Sequence, residues 1–441
     1  MSDKPNTPRP MAIPTGRIAR LGRLGTMAAG VAGNMAMGSL AQLARRQRPS
    51  LPNLLLNPKN ITRVTDQLAT MRGAAMKIGQ LMSMDSGDIL PPELAQILAR
   101  LRNNAHVMPP AQLKKVLNDQ WPAKWLGHFQ KFDVHPIAAA SIGQVHRAQL
   151  KDGRDLAIKV QYPGVANSID SDVANVGGLM RMSGLLPKGF DIAPYLEEGR
   201  KQLHEETDYV REGARLAQFG GLLSTEPQFV VPALHKDWST SDILAMTYVA
   251  GTPIEDTINE TQQVRDRIAT QLIELTLKEL FVFGVMQTDP NFANYLYKPE
   301  TQQIVLLDFG ATRTLDPVIV DQYRKLMQAG LSDNTAALKQ IIGDIGFIAP
   351  DTKDSHQMQI IEMIRIVFGA LRQGQPIDFA NTDLAQQIQR SGLALAEDGF
   401  MPPLLPIDVL LLQRKFAGVF LLAARLKAKV EIATLAQKYL P

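Results

Sequence analysis

The sequence predicts an α+β fold in which a small β-rich lobe is followed by a helical one, with further helices added in front. Three observations carry this expectation. Between residues 138 and 160, and again from 229 to 251, apolar positions alternate with period two and are punctuated by turn residues, the pattern of paired strands. From Thr261 the spacing turns helical and, after one loop-and-strand stretch, stays so to the end. From Pro58 to Met84 apolar residues again recur at helical intervals. The expected segments are 1–50, a basic Gly/Ala-rich extension; 51–132, a helical extension; 133–250, the β-rich lobe; and 251–441, the helical lobe.

A chain of 441 residues with 45% hydrophobic and 20% charged residues has the composition of an ordinary globular protein. It contains no cysteine, which excludes disulfides, thiolate metal sites and cysteine nucleophiles and fits a reducing compartment. The net charge of +4 is unevenly spread. Residues 1–50 hold eight Lys or Arg against the single acid Asp3, whereas the remainder holds 39 basic and 42 acidic residues. A basic head on a mildly acidic body points to an anionic surface as its partner. Within the head, Leu24–Ala44 is an uncharged stretch of 21 residues flanked by arginines, long enough to span a bilayer. It is built mainly of Gly, Ala and Met and is poorly suited to insertion, so association with a lipid surface is the better expectation. Its Arg-rich, acid-poor composition also allows a mitochondrial transit peptide.

The helical extension starts a further helix at Pro91-Pro92-Glu93, prolines being tolerated in a first turn. Its earlier helix carries Lys77-Ile78-Gly79-Gln80, with Lys77 and Gln80 three apart on one face. Next, Ala138–His146 runs into a strand, Lys151-Asp152-Gly153-Arg154 forms a hairpin turn, and Leu156–Val160 forms a second strand. A helix from about Ile192 to Phe219 presents Glu206, Asp208 and Glu212. On one continuous helix Asp208 and Glu212 share a face, and Glu206 points elsewhere. Phe229–Pro232 and Asp242–Gly251 read as strands. Leu404–Ala424 is apolar but interrupted by Asp408, Gln413, Arg414 and Lys415, as a buried core helix would be.

Two stretches carry chemistry. Gln287–Asn294 puts Asp289 and Asn294 five positions apart in a loop, and Ile304–Gly310 ends a strand at Asp308 before Phe309-Gly310. Phosphoryl transfer from a nucleotide needs hard oxygen ligands that hold metal ions against phosphate charge. Protein kinases place Asp-x-x-x-x-Asn ahead of Asp-Phe-Gly at a separation like that between Asp289 and Asp308. In this reading Asn294 and Asp308 hold Mg²⁺, and Asp289 orients or deprotonates the attacking group. The upstream hairpin matches the kinase phosphate-covering loop and lysine strand. Lys159 then meets the phosphates with Glu212 as its carboxylate partner, and Glu206 with Asp208 falls near Lys77 or the metal. The loop Ala138, Ala139, Ala140, Ser141, Ile142, Gly143 keeps only the third glycine of Gly-x-Gly-x-x-Gly, so a nucleotide sits differently beneath it. The segment around Met246, Thr247 and Val249 resembles a lobe-connecting hinge whose backbone meets an adenine edge.

With these residues in place the chain, from about Arg63 onward, resembles the UbiB/AarF-type atypical kinase family, especially its ubiquinone-biosynthesis branch. The marks are Lys77-Ile78-Gly79-Gln80, Ala138–Gly143, Glu206-Thr207-Asp208 with Glu212, Gln287–Asn291 and Asp308-Phe309-Gly310. Gln287 stands where a His usually precedes the catalytic Asp, and the family branch shares this. The resemblance implies a protein-kinase-like bilobal fold whose N-terminal extension lies over the active site, disfavouring phosphorylation of proteins in trans. It implies ATP/ADP and Mg²⁺ as cofactors and an ATPase or small-molecule kinase activity supporting ubiquinone synthesis. The implied location is the cytoplasmic inner face of a bacterial membrane, or a mitochondrial one if the head is a transit peptide. Anionic lipids, quinone precursors and quinone-pathway enzymes are the implied partners; nucleic acid is not, and a homodimer is one possible assembly. The competing readings are a nucleotide-gated, lipid-binding scaffold with little chemistry, and an antibiotic-type phosphotransferase, against which the Lys77 helix argues.

Overall fold

A computed structural model describes residues 71–85, 107–182, 191–403 and 405–440. The basic head, the run from Pro58 to residue 70 and the helix expected at Pro91 lie outside the described residues. The chain forms two compact units. Of the described residues, one comprises those up to Ala214 with Ala233–Tyr248, the other Arg215–Pro232 with those from Val249 onward.

The first unit contains α1 (Arg72–Asp85), α2 (Pro110–Gln120), β1 (Phe129–Phe132), β2 (Ala138–Ala139), β3 (Gly143–Leu150), β4 (Asp155–Gln161), α3 (Val165–Met182), α4 (Ala193–Thr207), the start of α5 (Tyr209–Leu222), and β6 (Ile243–Thr247). Its antiparallel sheet runs β1-β3-β4-β6, with β2 also paired to β3. The β3–β4 turn closes as expected, Gly153 supplying the left-handed residue at φ +95°. Leu156, Ile158 and Val160 of β4 alternate into the core, the period-two signal realised. That core is aromatic: the Trp121 ring lies 5.0 Å from Trp125, 5.5 Å from Phe129 and 5.2 Å from Trp238, and its indole N–H donates to the Trp238 carbonyl. On β3, His146 Nδ1 meets the Asp133 carbonyl, so it donates there and Nε2 accepts from Gln144. Burial lowers the His146 pKa and keeps the ring neutral.

The single helix expected from Ile192 to Phe219 is two helices. Asp208, at φ −87° and ψ 81°, breaks it, and its Oδ1 caps the next helix by accepting from the Arg211 N–H at 2.8 Å. The shared face assigned to Asp208 and Glu212 therefore does not exist. The strand expected to reach Gly251 ends at Thr247. Its partner β4 begins at Asp155, whose carbonyl accepts from Tyr248, and no ladder remains beyond it.

The second unit contains β5 (Phe229–Val230), β7 (Thr252–Pro253), α6 (Gln262–Lys278) with a π turn at Glu279–Phe283, β8 (Val285–Gln287), β9 (Tyr295–Lys298), β10 (Gln303–Leu306) and β11 (Thr312–Thr314). Helices α7 (Pro317–Leu331), α8 (Thr335–Ile345), α9 (Asp354–Arg372), α10 (Leu384–Glu397) and α11 (Ile407–Arg425) follow. Strands run β5-β10-β9-β7, the β5–β10 pair being parallel, and β8 pairs separately with β11. Leu280, Met286, Leu315, Ile342, Val409 and Leu412 share its core. Among the described residues no helix is long and apolar enough to cross a membrane.

Removing the central indole tests the packing of the first unit. Trp121→Ala should cost about 3–5 kcal/mol, seen as a lower urea midpoint at unchanged slope; a shift within error would contradict its place at the centre of that core.

Candidate active site

In the first unit Lys159 projects from the middle of β4, paired with Val145 on one side and Leu244 on the other. Its Nζ lies 2.7 and 2.9 Å from the two carboxylate oxygens of Glu212 on α5. The side chains are 10% and 3% exposed, so each ion is withdrawn from water and leans on the other. Breaking such a pair from one side leaves a buried charge without its counterion. The Lys159 ammonium also stands 5.1 Å from the Tyr209 ring centroid.

Glu206 makes a second junction. Lys77 Nζ on α1 donates to its Oε1 at 2.6 Å, and Ser141 Oγ donates to its Oε2 at 2.7 Å. One carboxylate thus ties the added helix to the alanine-rich loop. A Cβ built on Gly73 would lie 3.4 Å from Ile142 Cγ2 and 3.7 Å from the Ser141 carbonyl oxygen, so α1 runs close against that loop. Gln80 lies on the same helix, and Asp208 takes no part, being occupied as a cap.

The loop is a narrow turn. Ala138 and Ala139 form β2, and the Ala140 N–H donates to the Gly143 carbonyl at 2.9 Å. A Cβ at Gly143 would come within 2.4 Å of the Val160 carbonyl oxygen and 2.9 Å of Tyr209 Oη, so only glycine fits. At the expected hinge, Met246 and Thr247 end β6 and Val249 begins the second unit's share. The Thr247 N–H is donated to the Ala233 carbonyl, so that donor does not read a base edge.

In the second unit backbone pairing draws Asp289, Asn294 and Asp308 together. Tyr295 pairs with Leu306 at the open end of the β9–β10 hairpin, and the Leu307 N–H donates to the Asn294 carbonyl at 3.0 Å. Gln287 pairs with Thr312 in β8–β11, and both the N–H and Oγ of Thr288 donate to the Ala311 carbonyl. The Asp289 loop and the Asp308 loop are therefore laced at both ends. Asn294 Nδ2 donates to Asp289 Oδ2 at 3.2 Å. A carboxylate only accepts, so this bond sets the amide's orientation and directs its carbonyl oxygen away from Asp289. Asp308 Oδ1 accepts from the Gly310 N–H at 2.9 Å, and Phe309 is buried 4.8 Å from the Phe219 ring. These are the donors magnesium takes when most of its ligands are phosphates and water: one carboxylate and one amide oxygen.

Sequence reasoning did not assign Arg414, whose Nη2 donates to Asp289 Oδ1 at 2.8 Å. It also missed the buried neighbours Glu279, Tyr295 and Lys415. Lys415 Nζ lies 3.4 Å from Glu279 Oε2, 3.2 Å from Tyr295 Oη and 3.4 Å from Gln287 Oε1. The available signal was the Arg-Lys pair interrupting an apolar helical run.

A model of the ABC1 atypical kinase-like domain matches residues 100–342. The chain is 38% identical over 438 residues to the atypical kinase COQ8, mitochondrial, of Saccharomyces cerevisiae, covering 98% of this chain and 86% of that protein. It is 36% identical to the atypical kinase COQ8B, mitochondrial, of Rattus norvegicus, covering 87% and 72%. It is 37% identical to the atypical kinase coq-8, mitochondrial, of Caenorhabditis elegans, of which it spans half the length. Among solved structures, the complex of Rv3197 and erythromycin from Mycobacterium tuberculosis aligns with a TM-score of 0.62 and 25% identity over 87% of this chain and 96% of that one. The β-sheet of the first unit, the helical second unit and these relatives agree, and the chain belongs to the ABC1 atypical kinase-like family, in the UbiB branch associated with ubiquinone biosynthesis.

Proposed function

We propose that this atypical kinase binds Mg-ATP and directs its γ-phosphoryl group to water or a small acceptor in support of ubiquinone synthesis at a lipid surface. The observation that carries the reading is the Asp289–Asn294 bond beside the Asp308 strand end. Asp308 and the Asn294 carbonyl oxygen would hold the metal, which when bound offsets negative charge on the phosphates. Lys159, held by Glu212, meets the α- and β-phosphates. Asp289 accepts the proton of the attacking O–H as the bond from γ-phosphorus to the ADP oxygen breaks. Ala138–Gly143 and the Met246–Val249 segment contact the nucleotide.

Glu206 supports a closed cover over the loop, since Lys77 and Ser141 both hold it. Protein substrates in trans are disfavoured on this account. The same junction favours a second reading, a nucleotide-gated scaffold for quinone-pathway enzymes in which ATP binding releases α1 and turnover is slight. The basic head would bind anionic lipid, at about 1 kcal/mol for each Lys or Arg at the surface. Names of several relatives carry the word mitochondrial, which fits the inner face of that organelle's membrane or its bacterial counterpart.

ATP turnover with anionic liposomes should fall about 100-fold or more in Asp289→Asn and similarly in Lys159→Ala; a wild-type rate no higher than either variant would remove the enzyme reading and leave the scaffold. Deleting residues 1–50 should abolish flotation with anionic vesicles, and equal flotation of both forms would remove the lipid-surface role.

A further inference from the structure

Helix α11 lies beyond the 100–342 segment matched by the family model, yet it meets the Asp289 loop through three residues. Arg414 donates to Asp289 Oδ1, and Lys415 Nζ reaches Gln287 Oε1. Gly418 lies against Pro290, where a Cβ would come 2.3 Å from Pro290 Cβ and 2.4 Å from its Cγ. Positions 414 and 418, and 415 and 418, are helical neighbours, so one face of α11 engages Gln287, Asp289 and Pro290. From Glu279 to Tyr297 the sequence has no Lys or Arg, and the cations at this loop come from α11.

The contacts are unlike those of a surface ion pair. Arg414 and Asp289 are 16% and 26% exposed, and Lys415 is 2% exposed. Burial alone would lower the Lys415 pKa, but the Glu279 carboxylate and the Tyr295 oxygen outweigh it and hold the pKa above its ordinary value. Lys415 Nζ is thus wedged between Glu279 of the π turn and Gln287 at the head of the loop. Asp289 accepts from Arg414 on Oδ1 and from Asn294 on Oδ2. A carboxylate offers about four lone-pair sites, so these two bonds orient it and leave capacity for an attacking O–H.

We propose that α11 is the positioning element of the Asp289 loop: Arg414 aims the carboxylate, while Lys415 and Gly418 set the height of the loop beneath it. The proposal rests on Asp289 acting at the attacking group, and its test has one arm that does not need turnover. Arg414→Met, Arg414→Lys and Gly418→Ala are compared with Arg425→Met at the end of the same helix, which removes an exposed pair with Glu255. Hydrogen exchange of residues 285–295 should quicken in Arg414→Met and Gly418→Ala but not in Arg425→Met, with the rest of the second unit unchanged. In steady-state assays Arg414→Met should lower kcat about ten- to a hundred-fold with KM for ATP moving less than about three-fold. Arg414→Lys should recover part of kcat, because it keeps the charge but not the guanidinium fork. Unchanged exchange at 285–295, or a loss spread evenly over the whole unit that Arg414→Lys does not relieve, would overturn the proposal. Absent wild-type turnover would instead count against the enzyme reading, and the exchange arm would still decide the role of α11.

Discussion

Everything chemical in the second unit depends on two loops being laced together by their backbones. The bonds from the Leu307 N–H to the Asn294 carbonyl and from the Thr288 N–H to the Ala311 carbonyl are made whatever side chains those residues carry, and the Thr288 hydroxyl adds a second bond to Ala311. Sheet geometry thereby places the backbones that carry Asp289, Asn294 and Asp308, and side-chain bonds from Asn294 and Arg414 then orient the Asp289 carboxylate. The Asn294 amide then turns its N–H toward one carboxylate and its oxygen away from it, because Asp289 has nothing to donate. The side chain proposed here as a metal ligand is thus oriented by Asp289, which the proposal does not use as a ligand.

The first unit applies a related rule to buried charge. Lys159 and Lys77 are both nearly excluded from water, and each has a carboxylate within hydrogen-bond distance. Such pairs contribute little net stability, since desolvation offsets most of their attraction. Their value lies in specificity: Glu206 with Lys77 and Ser141 defines where α1 sits, and Glu212 defines where the Lys159 ammonium points. In both cases a residue from the α4–α5 pair fixes a cation carried by another element.

How much of this could be read from the sequence varied with the range of the interaction. Strands β3 and β4 and their turn were legible because alternation and Gly153 are local signals. The acids meant for Lys159 and Lys77 were visible as a charged cluster, but their geometry was not. Assuming a continuous helical period hid the break at Asp208, which acts as a cap between two helices. The stop of β6 at Thr247 depends on where its partner begins, which no local pattern records. Arg414 lies 125 residues from Asp289. In the sequence it appears only as a polar interruption of an apolar run, and nothing in that run names its partner. Residues 1–50, on which the lipid reading rests, lie outside the described residues.

The central claim is that Asp308 and the Asn294 oxygen form the protein's share of a magnesium-nucleotide site. Anomalous scattering from crystals grown with Mn²⁺ and a non-hydrolysable ATP analogue tests it most directly. The account predicts a metal peak whose protein ligands are the Asp308 carboxylate and Asn294 Oδ1. A metal bound instead through other side chains, with Asn294 and Asp308 outside its coordination sphere, would contradict it.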